Sequence, residues 1–144
     1  MTTSLTAALL LFLTHASSQD TTYFQQGVAY RIEASLNDST SVLSGRARLR
    51  YTNRSPRTID TLYFHLHLNA FRPNSAWAKR DLQFGNRRFQ DLGPNDHAFE
   101  RLKNVNVAGR RVTPRYPEGD DSTVVAIPLP VRLGPGANTV VTMD

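Results

Sequence analysis

Cysteine is absent from the chain, which excludes disulfides and thiolate metal sites. Lysine is nearly absent too: fifteen arginines stand beside only Lys79 and Lys103. Glutamate is confined to Glu33, Glu100 and Glu118, so paired carboxylates for acid–base work would have to come from aspartates, most of them in turn-forming sequence. No histidine precedes a glutamate, which removes the H-E-x-x-H helix that holds zinc beside a general base. An inverted version begins at His97-Ala98-Phe99-Glu100, but Arg101 stands where its second histidine belongs. There is no G-x-S-x-G elbow, no P-loop and no dinucleotide fingerprint. Each of these catalytic signatures therefore fails.

What is present is a β pattern. Residues 58–71, TIDTLYFHLHLNAF, place Leu62, Phe64, Leu66 and Leu68 on one face and Tyr63, His65, His67 and Asn69 on the other. That alternation fits a half-buried strand, and its length predicts a central strand with partners on both sides. Before it, residues 23–36 read as a strand with Val28, Tyr30, Ile32 and Ala34 on one face and Ala29, Arg31 and Glu33 on the other, and Asn37-Asp38-Ser39-Thr40 supplies turn chemistry. Residues 42–53 form a second strand, in which Ala47, Leu49 and Tyr51 alternate with Arg46, Arg48 and Arg50 as an inner and a solvated row. Residues 53–56 turn the chain into the 58–71 strand.

Beyond Phe71 the period fails. Residues 72–100 form a long irregular loop rich in Pro, Gly, Asn and Asp, the kind of segment that carries function or packs on a partner. Within it, residues 75–82 are expected to form a short helix capped by Ser75. The β pattern then returns. A hairpin turns at Ala108-Gly109-Arg110, residues 123–129 form a strand that Pro128 assigns to an edge or an end, and Asn138 to Met143 form the last strand. The count of about seven short strands with no long helix predicts an all-β fold: an antiparallel sandwich or a saddle-shaped open sheet. At 144 residues, 40% of them hydrophobic and 9% aromatic, one globular domain with a real core is expected, not a disordered chain.

The N-terminal segment stands apart. Residues 1–18 carry no charged Asp, Glu, Lys or Arg side chain, and residues 5–13 are apolar over the length of a signal-peptide core, too short to span a bilayer. Small residues at 16–18 precede Gln19, so residues 1–18 are read as an export signal and residues 19–144 as the domain, in the periplasm or outside the cell. The competing reading makes this run a hydrophobic strand or helix of the domain itself.

The net charge of +5 rests on arginine, which suits phosphate or carboxylate recognition but also follows from base composition in the coding DNA. Asp81, Asp91, Asp96 and Glu100 interrupt the basic stretch between Lys79 and Arg115, which argues against a nucleic-acid groove. The one constellation with metal chemistry in reach is His65 and His67, two apart on a strand, with His97, Asp96 or Glu100 as a third ligand. The competing reading has both imidazoles bonded to neighbouring strands or loops. For contact with a partner, the candidates are Trp77, Phe84, Phe89 and Phe99 of the long loop, each of which could equally anchor it to the core.

Four motifs carry a resemblance. These are Y-x-I-x-x-x-L, a turn, then L-x-G-x-x-x-L-x-Y-x-N-x-S from Tyr30 to Ser55; L-Y-x-H-L-x-x-N-A-F from Leu62 to Phe71; R-L-x-x-V-x-V-x-G from Arg101 to Gly109; and L-x-P-G from Leu133 to Gly136. Together they resemble the N-terminal domain of bacterial zinc aminopeptidases related to aminopeptidase N and leukotriene hydrolase. The resemblance implies a saddle-like β domain preceding a thermolysin-like catalytic domain that holds one zinc ion, and peptide hydrolysis by the complete protein. It implies no catalytic, cofactor or metal residue in this chain, and a peptidase catalytic domain as partner, in cis or as a separate polypeptide. The expectation is a fragment or one half of a split protein, inactive alone, with apolar surface and unpaired edge groups on its last strand and aromatic loop that make it poorly soluble or self-associating. A second reading is a stand-alone secreted β-sandwich that binds a partner or a glycan.

Overall fold

The structure, a computed structural model, describes residues 23–144. The expected export signal at residues 1–18 lies outside the described residues. The described residues form seven strands and one α-helix: β1 (Gly27–Asn37), β2 (Val42–Thr52), β3 (Ile59–His65), α1 (Ala76–Gln83), β4 (Asn106–Val107), β5 (Arg110–Arg111), β6 (Val124–Leu133) and β7 (Asn138–Met143). Short 3-10 turns occupy His67–Phe71 and Gly119–Asp121. All strand pairing is antiparallel. One sheet has the order β1-β2-β7-β4-β5, the other consists of β3 and β6, and no barrel closes. The all-β open architecture expected from the alternation is the one observed.

The core lies between the two sheets. Leu49, Val107, Val141 and Met143 from the larger sheet meet Leu62 and Ile127 from the smaller, with Val105 completing the cluster. In β2 the predicted rows hold: Leu49 is buried, Ala47 and Tyr51 pack against the core, and Arg46, Arg48 and Arg50 are exposed. The last strand also falls where the pattern places it, and the expected hairpin forms with a tighter turn, Ala108-Gly109, because Arg110 already pairs with Val107.

Three features depart from what the local pattern alone suggests. First, the 58–71 strand is neither central nor continuous. β3 ends at His65 and pairs only with β6. The period inverts at His67, because Asn69 turns inward: its side-chain amide donates to the Ser122 carbonyl at 2.8 Å and accepts from the Glu100 N–H at 2.9 Å. Leu68 is exposed as a result, although Leu66 stays buried. Two satisfied hydrogen bonds on a buried amide outweigh the burial of one leucine.

Second, the apolar row of β1 is not buried. Antiparallel pairing sets Tyr30 opposite Leu49 and Ile32 opposite Ala47, so this row shares the inner face of the sheet. The smaller sheet is two strands wide, and the core it closes takes Leu49 from β2 but nothing from β1. Tyr30 (58%), Ile32 (62%) and Leu43 (69%) remain exposed. Third, β7 is no edge: it lies between β2 and β4, and among the described residues the long unpaired edge belongs to β1.

β6 runs through Pro128 and Pro130 to Leu133 instead of stopping at residue 129. The register of β3 against it jumps between Ile59 and Thr61, whose partners are Leu133 and Pro128. Prolines that cannot donate to a ladder sit at this irregularity, on a strand whose far side carries only an isolated bridge from Arg115 to Ala126.

Candidate functional site

The expected short helix of the long loop is part of a small structured unit. Ser75 caps α1 as predicted: its hydroxyl accepts from the Ala78 N–H at 3.0 Å and donates to the Ala70 carbonyl at 2.6 Å. Asp121 accepts from the N–H of Ala76, tying the helix start to the turn before β6. Arg72 reinforces that tie by donating to the carbonyls of Asp120 and Asp121 at 2.8 and 2.7 Å. α1 is thereby clamped to the β framework through polar groups at its first turn.

Above this clamp three rings gather. Phe71 meets Trp77 edge-on at a centroid distance of 5.1 Å, Trp77 lies 5.3 Å from Phe89, and Phe89 lies 6.4 Å from Phe71. Phe89 is buried, and Trp77 is 41% exposed. The Arg88 guanidinium sits 5.7 Å from both the Trp77 and the Phe89 ring centroids. It also grips the buried Asp81 through two bonds, of 3.1 and 2.6 Å. Such a forked pair fixes both partners better than a single contact does.

This hydrogen-bonded Arg88 holds the Asp81 carboxyl below its ordinary range, against the opposing effect of its burial. The unfolded carboxyl titrates near pH ~3.9, so the stabilisation is fully present above that value and is lost as the pH falls through the lower folded value. Asp81→Asn should therefore unfold at lower urea than the wild type at pH 7. The gap should shrink steadily below pH ~4, as the wild-type carboxyl becomes protonated as well. Urea midpoints followed by Trp77 fluorescence at several pH values measure this directly.

The four predicted contact residues thus divide. Trp77 and Phe89 belong to one cluster, with Phe89 as its anchor. Phe84 is 72% exposed at the end of α1, with Arg80 at 5.8 Å from its ring. Phe99 is 49% exposed, with Arg101 at 4.9 Å and His97 at 6.5 Å. Phe71 joins the cluster although the alternating pattern assigned it to a strand.

His65 and His67 are brought together but not toward a third ligand. Their rings stack at 5.3 Å with an 11° angle between planes. The Glu100 carboxylate accepts from the Leu68 N–H, Asp96 accepts from the Gly93 N–H, and His97 Nδ1 lies 3.0 Å from the Gly93 carbonyl. Among the described residues no three His, Asp or Glu side chains converge as metal ligands would. His65 and His67 thus stack side by side, while Asp96, His97 and Glu100 bond within their own loop or to Leu68.

No family model, no curated protein and no solved structure matches the chain. Its surface must speak through its own chemistry. An open depression of about 650 Å³ lies beside α1, lined by Lys79, Glu118, Asp120 and Asp121 among others, and its acidic groups are largely engaged in capping α1 and bonding Thr123. Two buried polar residues that the pattern read only as turn or outward positions, Asn53 and Asn69, are the main structural knots. Among the described residues no helix is long and apolar enough to cross a membrane.

Proposed function

We propose that this chain is the non-catalytic N-terminal β domain of an exported zinc metallopeptidase of aminopeptidase type. Its task is to cover a catalytic domain and help shape the substrate cleft. The observation that carries this reading is the inner face of the β1–β2 hairpin, left uncovered among the described residues, where Val28, Tyr30, Ile32, Leu36 and Leu43 line up exposed beside a well-closed core. Apolar surface of that extent marks an interaction site. The half-exposed Trp77 and the projecting Phe84 extend the contact chemistry to the helical unit, since aromatics beside arginine favour interface cores.

The resembling motifs support the same reading from another side. Their Leu49, Asn53, Ser55, Leu62, Leu66, Asn69, Val105 and Val107 are all buried, as residues that hold a fold together are. The zinc ion would be held by the partner catalytic domain. Purified alone, with or without added zinc, the chain should hydrolyse no aminoacyl arylamide, and an in-frame H-E-x-x-H should be encoded downstream of residue 144 or in an adjacent gene. Zinc-dependent turnover by the chain itself would overturn the proposal. A stop codon after Asp144 with no peptidase gene nearby would favour a stand-alone binding module, for which the free β1 edge offers a strand-addition site.

A further inference from the structure

Natural sheets protect their long edges, and most edges here follow that rule. β5 is two residues long, β6 carries Pro128 and Pro130, and β3 is broken by its register shift. β1 carries no such device, and among the described residues no strand pairs with its outer edge. It is eleven residues long, pairs with β2 without a bulge from Gly27 to Asn37, and contains neither proline nor lysine. Its only charges, Arg31 and Glu33, stand on the outer face, where they bond each other at 2.9 Å and remain well exposed.

The placement of these two charges singles out one partner. Ile32 is the midpoint of β1, with Arg31 and Glu33 immediately to either side. If a second copy of β1 runs antiparallel across a two-fold axis at Ile32, Arg31 of each copy faces Glu33 of the other. On the inner face, Val28 then meets Leu36, Tyr30 meets Ala34, and Ile32 meets itself. All eleven residues are used.

Neighbouring registers are worse. An axis at Arg31 sets arginine against arginine, and an axis at Glu33 sets glutamate against glutamate. An axis between two residues pairs the apolar row with the polar one, putting each inner face outside. Opposite charges directly across a strand pair stabilise it and like charges destabilise it, so the strand encodes its own register.

We propose that β1 is a homodimerisation edge, joining two copies about Ile32 into one continuous sheet through the reciprocal Arg31–Glu33 pairs. Two five-stranded sheets then become one of ten strands. The contact is isologous and therefore closes at two copies without growing into a fibre. It uses the backbone edge of β1 and leaves the inner face free, so it is independent of the peptidase reading.

The test uses the full 144-residue chain in sedimentation equilibrium. Wild type should be a dimer. Arg31→Glu and Glu33→Arg should each weaken it roughly tenfold, since each turns two attractive cross-strand pairs repulsive. The double exchange Arg31→Glu/Glu33→Arg should restore the dimer, and an equimolar mixture of the two single variants should form the heterodimer. Because the chain lacks cysteine, Ile32→Cys adds a direct geometric readout. Facing Cα atoms at about 4.5–5.5 Å should crosslink on mild oxidation, whereas Arg110→Cys on the opposite edge should not. A wild-type monomer at high concentration would overturn the proposal. So would association that ignores both charge variants, because the contact would then lie on the apolar face or elsewhere.

Discussion

Asn53→Ala should lower the free energy of unfolding by about 3 kcal/mol, the heaviest loss expected from any single polar truncation in this chain. Asn53 is fully buried where β2 ends. Its side-chain nitrogen donates to the carbonyls of Arg57 at 2.7 Å and Leu133 at 2.9 Å. Its oxygen accepts from the Ser55 N–H at 3.0 Å and the Ser55 hydroxyl at 2.7 Å. Its own backbone bonds both ways across the turn that leads into β7, to Ala137 and from Gly136. One residue therefore joins the larger sheet to the end of β6 in the smaller one. Alanine would leave the Leu133 carbonyl and the Ser55 N–H without these partners, at roughly 1–3 kcal/mol for each group that water cannot reach.

Asn53→Asp separates hydrogen bonding from shape. The volume is kept, but two donated bonds become an oxygen facing two carbonyl oxygens. This variant should be at least as unstable as Asn53→Ala at pH 7. It should recover partly in acid below pH ~4, where the protonated carboxyl can donate one bond. Urea titrations at the two pH values, with an unchanged slope and a shifted midpoint, are the measurement. Equal stability of the alanine variant and wild type would mean that water replaces the amide at this site.

The legible parts of the fold are those where local pattern and packing agree. In β2 the alternation of Leu49 with Arg48 and Arg50 meets a core on one side and solvent on the other, so period two survives folding. Ser75 was legible because a capping hydroxyl acts on its own first turn and depends on nothing distant. Asn53 and Asn69 were not. An asparagine after a strand suits a turn in water and a buried knot equally well, and the deciding partners, Leu133 and Ser122, lie far away in the chain. The cluster of Phe71, Trp77 and Phe89 was half legible: the aromatic content of the loop was visible, but the helix that assembles the rings depends on a clamp from Asp121 and Arg72. β1 shows the limit most clearly. Its alternation is as good as that of β2, yet alternation states which side is apolar and not whether anything covers it.

That distinction makes the second large effect a comparison of two isoleucines. Ile127 on β6 is 0% exposed and lies opposite Leu62 in the core between the sheets. Ile127→Ala should destabilise by about 3–4 kcal/mol, from lost transfer energy together with the cavity left by a framework that relaxes only in part. Ile32→Ala, made where the sequence pattern is equally regular, should lose less than about 1 kcal/mol, the scale of strand preference alone. Both are to be measured by urea unfolding at a dilution where the chain is monomeric, so that no contact between copies contributes. At higher protein concentration the two variants should diverge in a second way. Ile127→Ala should keep its association constant as long as it is folded, while Ile32→Ala should dissociate more readily, because it removes the self-facing pair at the two-fold axis. A large monomer destabilisation by Ile32→Ala would mean that the inner face of β1 is covered within a single copy. The uncovered hairpin face, the footing of the domain-cover reading, would then be lost, whereas the unprotected edge and its charge pairs would still stand or fall on the exchange of Arg31 and Glu33.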